Sequence, residues 1–116
     1  MATSKRVELA DRLISKTEKG ELEWEETADP DAFQVAFPNY SLWVDLVETP
    51  NGSRDIVITL FNSAGNKIDE FSDVDLSTET NLQYYTKMNT MYQSARRKAV
   101  RADEAYDDIL KQLGDE

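Results

Sequence analysis

The side chains able to do chemistry in this 116-residue chain are carboxylates, cationic groups and five tyrosines; histidine and cysteine are both absent. Without them the chain cannot build Ser-His-Asp or Cys-His catalysis, a thiolate centre or the usual zinc and non-haem iron sites. No catalytic residue, cofactor or metal is therefore expected. Acids outnumber bases 23 to 13, for a formal charge of −10. That charge favours solubility and opposes unaided binding to nucleic-acid phosphates or anionic membranes.

Charged residues nonetheless fall into groups that deserve a functional and a bland reading side by side. Glu21, Glu23, Glu25, Glu26, Asp29 and Asp31 sit on one extended stretch and its turn, where alternate residues share a face. Such a strip suits a basic partner or a mimic of nucleic-acid phosphates, and equally a solvated edge that resists aggregation. Arg96, Arg97, Lys98 and Arg101 form the basic counterpart. At about 100° per residue, Arg97, Lys98 and Arg101 take the outer side of a helix and Arg96 the edge of its buried stripe. The outer three suit an acidic surface or phosphate, or simply complement the helix dipole. Arg96 is expected to pair with a carboxylate. Asp69, Glu70, Asp73, Asp75 and Glu79 resemble a hard-cation loop only loosely: counted from Asp73, Thr78 and Tyr84 occupy the EF-hand glycine and glutamate positions. The four glycines are isolated, so neither phosphate-cradling loop pattern occurs.

These groups need elements to position them. Leu9, Ala10, Leu13, Ile14 and Thr17 predict a first helix over Lys5 to Lys19, with Thr3 or Ser4 as N-cap and Gly20 as its end. Leu22 and Trp24 alternate with glutamates as a strand, before a turn at Asp29-Pro30-Asp31. Phe33 to Phe37, Tyr40 to Val47, Asp55 to Asn62 and Lys67 to Phe71 follow as strands, joined by turns that include Asn51-Gly52. Such short connections predict an antiparallel meander of four to five strands. After an acidic polar stretch over Ser72 to Thr80, a helical pattern starts at Leu82 and runs to Leu113, with a break expected near Val100 to Asp103 and Asp103 or a neighbour as cap. The fold expected is α+β, one domain over residues 1–116, with the C-terminal long or broken helix packed on the sheet.

The sheet pattern carries one oddity. If Tyr40, Leu42, Val44, Ile56, Ile58 and Leu60 face the helices, then Trp43, Val47, Val57 and Phe61 point the other way. Four large apolar residues there need cover, from the last helix, a second copy or a partner protein.

Lys16-Thr17-x-x-Gly20-x-Leu22-x-Trp24-x-x-Thr27, Asp31-Ala32-Phe33-Gln34, Gly65-Asn66-x-Ile68-Asp69, Ala95-Arg96-Arg97-Lys98-Ala99 and Asp103-Glu104-Ala105 with Ile109-Leu110 follow one another along the chain. Together they resemble a family of small uncharacterised bacterial proteins, whose members often carry Gly where Arg101 stands here. The resemblance implies a bacterial origin and no activity. With no signal-like or membrane-length apolar run, a cytoplasmic location and no membrane partner are expected. The leading expectation is a non-catalytic protein-binding or adaptor domain, acting on a protein partner or as a homodimer. A nucleic-acid mimic or nucleic-acid-associated inhibitor is the alternative, and a carboxylate-type enzyme the third reading.

Overall fold

A computed structural model describes residues 4–114. Its elements run α1 (Lys5–Glu18), β1 (Glu25–Glu26), β2 (Ala32–Ala36), β3 (Tyr40–Glu48), β4 (Arg54–Asn62), β5 (Lys67–Ser72), α2 (Asp73–Thr80), α3 (Tyr85–Ala99) and α4 (Ala102–Leu113). The strands form one antiparallel sheet in chain order, as the short connections require. The α+β meander with its broken C-terminal helix is thus as the patterning predicts. No described helix is long and apolar enough to cross a membrane.

Ser4 caps α1 by accepting a hydrogen bond from the Val7 amide; Thr3, the other candidate, lies outside the described residues. At the far end Gly20, at φ 73°, donates to the Thr17 carbonyl while Glu21 donates to Lys16, a Schellman closure that only a residue tolerant of positive φ completes cheaply. This closure shortens the first strand. The expected alternation from Glu21 is not a strand: only Glu25 and Glu26 pair with Phe33 and Gln34. Trp24 instead turns inward, where its indole N–H donates to the Thr17 hydroxyl at 3.1 Å.

The core lies between one sheet face and α1, α2 and α3. Val7, Ala10 and Leu13 of α1 meet Leu42, Val44, Ile56, Ile58 and Phe71 of the sheet and Met88, Met91, Tyr92 and Ala95 of α3. Of the expected inward set, Tyr40 is the exception; it is exposed at the sheet's end.

The acidic stretch over Ser72 to Thr80 proves to contain α2. Ser72 and Asp75 form a reciprocal capping box, and Asn81 in the left-handed region ends the helix. α2 buries Asp73 and Leu76 alone, too few for a visible stripe. Because Asn81 closes α2, α3 begins at Tyr85 rather than at Leu82, which is left 59% exposed.

Candidate functional site

The register of β3 and β4 sets out the second sheet face. Trp43 pairs with Gln34 and Thr59, Asp45 with Ala32 and Val57, and Phe61 with Ser41, while Val47 faces Asp55. Trp43 and Phe61 pack ring against ring at 5.2 Å, and the Trp43 indole N–H donates to the Gln34 side-chain Oε1 at 3.1 Å. Thr59 and Lys67 both donate to Glu70. Trp43, Val57 and Phe61 are therefore half-buried by one another and by polar neighbours, and Val47 is exposed. Helical cover from the chain's end, one of the expected solutions, is not made: the extensive contacts of α4 are with α3. The face thus holds an apolar centre among carboxylates. Desolvation first, then Asp29 and Asp31, pushes the Asp45 carboxyl up to about 6.

Arg97, Lys98 and Arg101 gather where α3 meets α4, each beside an acid. Arg97 pairs with Asp103 at 2.9 Å, Lys98 with Glu23 at 3.6 Å and Arg101 with Glu104 at 3.7 Å. They line an open cleft of about 500 Å³ together with Trp24 and Ser94. Its walls carry charges of both signs, so it holds no net field for an anion. Arg96 departs from expectation: it is exposed, with no ion pair among the described residues, because its stripe edge faces solvent rather than the sheet.

The acidic groups are mostly committed to structure. Asp69 accepts two hydrogen bonds from the Arg6 guanidinium, which holds its carboxyl below the usual range. Asp73 accepts from the Ile56 amide at 2.8 Å, and Asp75 closes the capping box. Glu21 pairs with Lys16. The strip read along Glu21 to Asp31 is broken accordingly, since only Glu25 and Glu26 share a strand. Among the described residues no three acids converge as a metal cage.

The arrangement that the pattern concealed lies in α4. Arg101 takes the left-handed conformation at φ 57° and breaks the helix within the expected Val100 to Asp103 interval. Asp103 does not cap α4; the cap position is Arg101 itself, with no side-chain bond, and Asp103 turns back to Arg97. Arg97 also lies over the Tyr106 ring at 5.9 Å, so one guanidinium fixes the angle between the helices. Past this joint no residue of α4 is buried. Tyr106, Ile109, Leu110 and Leu113 are 61%, 57%, 62% and 68% exposed, and their 3- and 4-residue spacing aligns them on one face. In the sequence they extend the core stripe of α3 almost in phase; the turn at Arg101 redirects them into solvent.

Comparison with known protein families, curated proteins and solved structures finds no match.

Proposed function

We propose that the chain is a non-catalytic protein-binding domain that presents α4 as a docking helix, with the open sheet face as a second contact surface. The observation that carries this reading is the α4 stripe: four large apolar residues on a helix that buries nothing. Twelve residues form only a marginal helix in water, so this one needs a surface against its apolar side. Amphipathic helices are commonly recognised in just that way, by a groove that takes anchors at i, i+3, i+4 and i+7.

Pairing of Arg97, Lys98 and Arg101 with acids weighs against direct retention of nucleic acid, since each phosphate contact would first have to break an ion pair. We place the chain in the cytoplasm, a setting with which its cysteine-free composition is compatible.

The test is affinity purification from host extract with wild type, Leu110→Asp and Trp43→Asp. Leu110→Asp is expected to lose the bound protein while keeping the fold, because Leu110 is 62% exposed and lies outside the core cluster. Retention of every wild-type partner by Leu110→Asp sinks the reading.

A further inference from the structure

We infer that Arg101 is a hinge, and that α3 and α4 exchange between the bent arrangement and one continuous helix over residues 85–113. Nothing covalent imposes the bend. Sharp bends in helices almost always have proline, glycine or an interrupted hydrogen-bond ladder as their cause, and this stretch contains neither of those residues. Its apolar residues instead keep one seam across the joint. From Ala95 the seam runs through Ala99, Ala102, Tyr106 and Ile109 to Leu113 in steps of four, three, four, three and four, the pattern of a helix that continues.

What holds the bend is exposed. Arg97 reaches Asp103 at 2.9 Å and lies over the Tyr106 ring at 5.9 Å, with the two charged side chains 52% and 91% open to solvent. Ion pairs this exposed contribute little and are screened by salt. The Arg101–Glu104 pair does not choose between the states, because residues three apart also meet on a continuous helix.

Two features of the bend oppose these contacts. Arg101 is held at φ 57°, a region that an L side chain enters only at a penalty. α4 also opens without a side-chain cap, so the amides of Ala102, Asp103 and Glu104 have no partner among the described residues. A continuous helix returns those amides to the carbonyls of Lys98, Ala99 and Val100 and places Arg101 in the ordinary helical region. Neither side outweighs the other by much, so both states are populated. The contacts of Lys98 with Gly20 and Glu23 lie on the body side of the joint and persist in each. On straightening, Asp103 leaves the cleft and the α4 stripe extends the seam of α3 as a rod about 43 Å long. The hinge needs no partner, and it stands whatever occupies that stripe.

Because the chain has no cysteine, a pair of introduced cysteines reports the exchange cleanly. With spin labels on Lys87→Cys and Gln112→Cys, both exposed positions, a straight helix sets the two backbone sites about 37 Å apart, and the bend brings them closer. Double electron–electron resonance should show both distances in the otherwise native chain. Arg97→Ala, which removes the ion pair and the ring contact together, should raise the ratio of long to short distance about fivefold. Salt at about 1 M should move it the same way. Arg101→Gly should lower the ratio about tenfold, because glycine enters the left-handed region freely and weakens a helix interior. A single short distance that neither substitution nor salt moves overturns the hinge and leaves a rigid joint. A long distance alone in the otherwise native chain overturns it as well.

Discussion

Asp45 stands between Trp43 and Val47 on the open sheet face, opposite Val57, and pays for that apolar setting with a carboxyl pushed up to about 6. Its unfolded value is about 3.9. The protonated form is thus favoured in the fold, so this group's contribution is fully present below about pH 4 and is lost as pH rises through about 6. Allowing for partial exposure, the loss is on the order of 1–2 kcal/mol. Asp45→Asn should therefore be more stable than wild type by about that much at pH 7.5, with the two converging near pH 4, in urea unfolding at each pH. Asp73 illustrates the opposite use of a buried acid. Its oxygen takes the Ile56 amide at 2.8 Å, so Asp73→Ala should cost about 1–3 kcal/mol by leaving that donor unpaired. Asp73→Asn, which keeps an acceptor, should cost less than half as much in the same denaturation series. Trp24 and Thr17 were each legible as inward-facing residues, but their mutual hydrogen bond was not, because nothing in a one-dimensional pattern pairs a helix end with the residue seven positions on.

At the scale of elements, the strands were readable wherever one side meets the core and the other does not. β3 shows this alternation from Ser41 to Asp45 and β4 from Asp55 to Ile58. α2 escaped because it is short and buries one aliphatic side chain, although Ser72-x-x-Asp75 is a capping signature that could have found it. β1 was overread because Leu22 and Trp24 alternate with glutamates for a different reason: the α1 closure turns Trp24 into the core. The helix break was legible in place but not in consequence. A stripe that continues in phase looks like core until a single left-handed residue redirects it. That residue is Arg101, a side chain at φ 57° where glycine would fit without strain. Arg101→Gly should raise stability by about 0.5–1 kcal/mol in thermal or urea unfolding, the lost exposed pair to Glu104 costing little. A drop in stability would show that the arginine side chain, not the backbone, governs the joint.

Over the whole molecule, the helix beyond the joint sets the shape. A chain of this length folded compactly has a radius of gyration of about 13 Å, whereas this one has 16.0 Å and a long axis of 57 Å against 32 and 31 Å. The elongation and the exposed stripe have one cause, a helix held off the body by Arg101 and the Arg97 contacts. Removing residues 102–116 should therefore leave the sheet and α1 to α3 folded, with a melting temperature within a few degrees of wild type and a near-spherical scattering profile. Melting of the remainder would mean that α4 supports the core. Ile109, Leu110 and Leu113 of α4 have no cover among the described residues, and amide hydrogen exchange measures that directly. At low micromolar concentration or below, α4 amides should exchange far faster than those of α3 around Met88 to Tyr92, and should slow as partner is raised. Protection of α4 equal to that of α3 in the dilute chain would contradict it.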